Sequence, residues 1–375
     1  MTSKKLGGAI AAAALMLFGT VGVGAAGAAT GARKAVFVQT DGTSANQVVA
    51  YSRAADGTLT QAGVYATGGV GGQLEGSVVD HTASQGGLAY DAADGLLIAT
   101  NAGSGTISVF AVFGDRLALL QVLPSGGAFP VSVAVQDGLV YVLNAEAGGT
   151  LQGFRVVGGR LVALAGSQRS LGLATGETPR FTHTPGEVAF SPDGSQLIVT
   201  TKAAGNDVDV FGVEADGTLS ATPKANELPG AVPFAVAFDR LGHLLVTEAG
   251  PSVLGDFTLR ANGELEQLDA LETGQAATCW VARDGDRFYT SNAGSASLTG
   301  FQLSARGRLL SLFGQIPTDA GTVDAAVSRT GRFLYVQTGA AGIVDEFSLG
   351  AGGALTEIGS VTVPGAVGGE GIVAL

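Results

Sequence analysis

Cysteine occurs once in 375 residues, at Cys279, so no intramolecular disulfide can form and stability must come from packing and chain topology. Positive charge is scarce as well: 20 Lys and Arg stand against 32 Asp and Glu, a formal net charge of −12. A surface of that sign repels nucleic acid and anionic lipid, which argues against both as partners. Only three histidines occur, His81, His183 and His243, and none has metal-ligand spacing with respect to the others or to a nearby acid such as Asp80, so neither a metal nor a cofactor is expected. The chain also lacks an Asn-x-Ser/Thr sequon, a nucleophile elbow, a His-Glu-x-x-His and a Cys-x-x-Cys-His.

Long apolar runs are confined to the N-terminus, where Lys4 and Lys5 precede an Ala/Leu/Gly stretch from Leu6 to about Gly24, followed by small residues. This pattern predicts a secretory signal peptide over residues 1–29, cut after Ala28 or Ala29, and a single mature domain over 30–375. GVGAAG from Gly22 spells a dinucleotide fingerprint, but it lies inside this segment with no strand before it and is dismissed. Cleavage removes Lys4 and Lys5, leaving 18 basic against 32 acidic side chains and a charge of −14. The expectation is a monomer that is secreted or held in the cell envelope, without membrane association after cleavage.

What the chain has in plenty is one phrase, an aromatic-centred strand, a tight Gly turn and a leucine that opens the next strand. It reads VVAYSRAADGTL from Val48, VDVFGVEADGTL from Val208 and LTGFQLSARGRL from Leu298, and its aromatics are Tyr51, Phe110, Phe154, Phe211, Phe257, Phe301 and Phe347. Four of the six intervals are about 44 to 46 residues. A repeat of that period, made only of strands and turns, predicts an all-β fold: a seven-bladed β-propeller of four-stranded antiparallel blades. Inner-strand runs begin at Gly87, Val131, Glu187, Ala235, Cys279, Ala325 and Gly371. The first repeat, VFVQT from Val36, has no inner strand before it, and GIVAL has no repeat after it, so the two termini are expected to complete one blade.

The two long intervals come from insertions at 68–84 and 165–184, both between an outer and an inner strand and therefore both on the face opposite the Asp-Gly turns. Two columns of polar residues share this top face. The first, after the second strands, reads Thr40, Asn101, Asn144, Thr201, Glu248, Asn292 and Thr338; Asn there serves turn geometry, and Glu248 departs from it. The second heads the inner strands at Ser132, Glu187, Ala235, Thr278 and Asp324; acids beside a narrow channel are pushed towards neutrality by desolvation. His243 belongs to a bottom turn, whereas His81 and His183 lie in the insertions. Cys279 reads as a buried small hydrophobe with no base adjacent in sequence.

VAFSPDG from Val188, TNAGSGTISVF from Thr100, LYVQTG from Leu334 and the repeated DGTL turns resemble the bacterial propeller lactonases, the group of propeller-type 6-phosphogluconolactonase and carboxy-cis,cis-muconate cyclase. That resemblance spans nearly the whole mature chain and implies a lactone-hydrolysing or lactone-forming enzyme. Family members often place His after Pro at the head of an inner strand, with Arg and Glu beside it; TPGEVAF at Thr184, FPVSVAV at Phe129 and VPFAVAF at Val232 carry no such His. On this reading Glu187 or Glu248 takes a proton from water, His183 relays it, Arg180 or Lys202 stabilises the carbonyl oxygen, and His81 and Asp324 help bind the substrate. Export and the acidic surface favour a neutral or weakly charged lactone over a phosphorylated one. The alternative is a non-catalytic envelope propeller that binds a small ligand or a protein, a reading that the missing His supports.

Overall fold

The computed structural model describes residues 1–2 and 34–375; the expected signal segment therefore lies almost wholly outside the described residues. Seven antiparallel sheets follow one another along the chain. Blade 1 holds strands Ala35–Gln39, Gln47–Arg53 and Leu59–Ala66, and blades 2 to 7 span 88–124, 130–170, 188–227, 233–272, 278–317 and 322–362. Ile372–Ala374 returns to pair antiparallel with the first strand, Val38 opposite Ile372 and Val36 opposite Ala374, and so becomes the inner strand of blade 1. The expected closure by the two termini is present.

Each blade is sandwiched between two others, and its sequence shows it. Second strands such as Leu96–Asn101, Leu139–Asn144 and Phe333–Thr338 are buried at every position, because both faces of a middle strand meet neighbouring blades. Outer strands such as Leu59–Ala66 are mostly exposed. Among the described residues the core divides into seven apolar clusters, one at each junction between blades. The repeated aromatic packs in each case toward the preceding blade: Phe110 joins the cluster of blades 1 and 2, Phe154 that of blades 2 and 3, and Tyr51 that of blades 7 and 1. The sequence repeat is thus an interface repeat.

The bottom turns follow the Asp-Gly chemistry. Asp56 accepts the Thr58 N–H at 3.1 Å and its hydroxyl at 2.8 Å while Gly57 takes φ 102°. A buried tyrosine hydroxyl ties some of these turns to the blade before them: Tyr335 donates to Gly57 O at 2.6 Å and Tyr141 to Gly217 O at 2.8 Å. Blade 6 departs from the expected strand-head column. A register shift between Thr278 and Trp280 places Trp280 opposite Ser291, so Trp280, not Thr278, occupies the inner-strand column of blade 6.

Candidate functional site

The end of the first insertion crosses the channel. From its place before blade 2, Gln85 N–H donates to Gly186 O at 3.2 Å and its side-chain amide to Glu187 at 3.1 Å, both in blade 4. From blade 6, Trp280 Nε1 donates to Ser84 O at 2.6 Å and Val281 N to Gln85 Oε1 at 2.9 Å. Blade 4 is two blades from blade 2 one way round the ring and blade 6 three the other way, so residues 81–87 span the top end of the channel. His81 N–H anchors the same segment to Gly368 O at 2.8 Å, and Asp80 holds its turn by accepting from Thr82 N, Thr82 Oγ1 and Ser84 N at 2.7 to 2.9 Å.

Under this bar sit a carboxyl and an amine in matching frames. Glu187 Oε2 accepts Val236 N–H at 2.6 Å and Oε1 the Gln85 amide, while its own N–H donates to Thr200 Oγ1 at 2.9 Å. Lys202 Nζ donates to Ala83 O at 2.6 Å and Phe181 O at 2.7 Å and lies 5.4 Å from the Phe234 ring centre. The two groups thus share three segments, two residues apart on each: 83 and 85, 200 and 202, 234 and 236. Burial pushes Glu187 up to about 8, with the Asp324 charge a smaller push in the same direction. Burial brings Lys202 down to about 7, against the pull of Asp80.

Three of the groups around Lys202, namely Ala83, Phe181 and Phe234, also wall an open cleft of about 260 Å³ between the first insertion and blades 5 and 6. Its other walls include Val78, Val79, Cys279 and Trp280. Trp280 stands edge-on to Phe234, ring centres 4.8 Å apart.

A second group of acids closes the ring on the other side of the bar. Glu370 accepts the N–H groups of Gly86 at 2.8 Å and Gly87 at 3.1 Å, and its own N–H donates to Asp41 at 2.8 Å. Asp324 accepts Ile372 N–H at 3.2 Å and shares a side-chain hydrogen bond with Glu370. Burial raises Asp41 and Asp324 to about 7; it raises Glu370 well above its usual range, helped by the charges of Asp324, Asp80 and Asp41. With Glu187 and Asp80, five buried acids ring the channel top.

Of the residues expected from sequence, Glu187, Asp324 and Lys202 meet here. His81 reaches it only through its backbone; its Nδ1 is buried without a partner. Glu248 is elsewhere: it lines a separate cleft of about 410 Å³ with 227–231, Pro251 and Gln267, between blades 4 and 5. Burial raises its pKa too. Arg180 forms a two-nitrogen pair with Glu146, at 3.3 and 3.1 Å, and His183 turns back on its own insertion, with Nδ1 against Pro179 O at 3.0 Å and Nε2 3.4 Å from Glu177. Neither contacts Glu187 or Glu248. Asp41, Gln85 and Glu370 were missed. Glu370 stands one residue ahead of the strand-head column, and Asp41 one residue past the loop column, so an alignment by strand heads steps over both.

Among the described residues no three His, Cys, Asp or Glu side chains are grouped to hold a metal ion.

No protein-family model matches the chain, and no curated protein does. Solved structures match well. A candidate 6-phosphogluconolactonase from Bacteroides uniformis superposes with a TM-score of 0.72 at 19% identity, over 91% of this chain and 99% of that one. The periplasmic gluconolactonase of Pseudomonas aeruginosa gives 0.69 at 19%, over 90% and 98%. The chain shares their fold. The virginiamycin B lyase of Staphylococcus aureus is also similar, at 0.53 and 16% identity, over 76% of this chain and 87% of that one. A lactonase-like propeller is therefore the architecture, and the fold alone does not select the reaction.

Proposed function

We propose that the protein is an extracytoplasmic hydrolase of a small neutral lactone, with Glu187 as general acid-base and Lys202 as the cation that stabilises the carbonyl oxygen. The observation that carries this reading is that the 83–85 segment holds both Glu187 and Lys202, while Ala83, Phe181 and Phe234, which surround the Lys202 amine, wall an open cleft. Fold likeness to proteins named as lactonases supports the substrate class. In the reaction, ionised Glu187 takes a proton from water as its oxygen bonds to the carbonyl carbon. Negative charge gathers on the carbonyl oxygen beside the Lys202 ammonium. The ring C–O bond then breaks and Glu187 returns the proton to the leaving oxygen, giving the hydroxy acid.

This scheme has a pH signature. Glu187 must be ionised, which requires pH towards about 8, and Lys202 must be charged, which is lost above about 7. A bell-shaped kcat/KM profile with its maximum between about 7 and 8 is expected. The test is hydrolysis of a lactone panel by the purified protein. Glu187→Gln should lower kcat ~10²- to 10⁴-fold; unchanged turnover in a folded variant overturns the assignment. Export rests on residues 1–29 and is checked by sequencing the N-terminus of the exported protein; retention inside the cell would remove it.

A non-catalytic binding propeller is the second reading. One observation favours it: Lys202 is 1% exposed, and both Glu187 oxygens already accept hydrogen bonds. Specific ligand binding without turnover of any lactone would establish it.

A further inference from the structure

The cleft of about 260 Å³ has a selectivity that its walls define. Val78, Val79, Phe181, Phe234 and Trp280 supply apolar surface, and Val78 at the lip is 78% exposed. The closing loop that bonds His81 exposes Val367 as well, at 56%. The polar atoms nearby are already committed. The Trp280 indole N–H donates to Ser84 O, and the Asp80 carboxylate already accepts from Thr82 N–H, the Thr82 hydroxyl and Ser84 N–H. Burial pushes the Cys279 thiol up to about 12, so it stays neutral. Few polar groups remain to pair with the hydroxyls of a sugar, and an unpaired buried hydroxyl is costly.

Charge disfavours two more ligand classes. Lys202 Nζ already occupies the face of Phe234, which opposes a cation in the cleft. Asp80 in the wall and the net charge of −12 oppose an anion. We infer that this cleft binds an uncharged small molecule with an aliphatic or aryl body. On the hydrolase reading above, on which this step rests, the lactone then carries a hydrophobic substituent in place of hydroxyls.

Trp280 is the sole tryptophan of the chain and stands in the cleft wall, so its fluorescence reports occupancy without any turnover. The experiment titrates the protein with γ-alkyl lactams of increasing chain length, which resist hydrolysis, and with glucono-δ-lactone. Expected is a saturable change whose Kd falls about fourfold per added methylene until the cleft is full. Ala293→Phe, which fills the cleft, and Val78→Asp, at an exposed lip position, should each weaken alkyl-lactam binding about tenfold or more with unchanged circular dichroism. Absence of a saturable signal, no dependence on chain length, or equally tight glucono-δ-lactone would overturn the inference. Alkyl-lactam binding with no lactone turned over would sustain it and remove the hydrolase reading. Turnover of glucono-δ-lactone without alkyl-lactam binding would do the reverse.

Discussion

Lys202 shows how a buried charge can be tolerated for what it holds. Its amine joins the backbones of both top-face insertions through Ala83 O and Phe181 O, and burial lowers its pKa from the ordinary 10.5 to about 7. The unfolded chain keeps this proton up to about pH 10.5, whereas the folded protein gives it up near 7. Burial therefore costs most below pH 7, and the cost is relieved as pH rises from about 7 to 10.5. Lys202→Met loses two hydrogen bonds but also the burial cost, two effects of opposite sign and similar size. The expected outcome is a variant whose stability relative to the parent worsens steadily between pH 7 and 10 in denaturant titrations. A pH-independent difference would contradict the assigned shift. Sequence alone marked Lys202 as a top-face cation, but its partners come from two loops more than 20 residues away, and nothing local announces them.

The segment 81–87 is the element that decides the site. Gln85 spans from Glu187 to Val281 N–H, so Gln85→Ala leaves one carboxylate oxygen and one buried N–H without that partner. A loss of ~1–3 kcal/mol is expected from chemical unfolding. Removing a bond that holds Glu187 down should also raise its pKa above about 8 and move the rising limb of the pH profile to higher pH. The strands were legible because each blade repeats the same burial pattern, and Glu187 and Asp324 could be placed because they head repeated strands. The insertion could be recognised as excess length, but its path over the channel depends on a loop without periodicity. Glu248, His183 and Arg180 looked equivalent to Glu187 from their face alone; which junction each enters is set by side-chain direction, which the repeat does not encode.

For the whole molecule, the five acids at the channel top make stability depend on pH in an unusual sense. Asp41, Asp324 and Glu370 have folded pKa values raised above those of the unfolded chain, so the folded state holds protons that the unfolded state has released. The contribution of Asp41 and Asp324 is fully present below about pH 4 and is lost as pH rises through about 7, while that of Glu370 is lost well above the usual carboxyl range. The melting temperature at pH 5 should exceed that at pH 7.5, and Asp324→Asn should shrink the difference. Equal melting temperatures would mean that these carboxyls are ionised throughout.

The closing strand also bears on when this protein becomes itself. Ile372–Ala374 pairs with residues near the start of the ring, Leu375 N–H reaches Ala35 O at 2.8 Å, and Arg53 donates to Leu375 O at 2.9 Å across 322 residues of sequence. Until residues 370–375 are in place, Ala35–Gln39 has an open flank and Glu370 cannot meet Gly86. Completion of the ring and assembly of its acidic centre are therefore the same event.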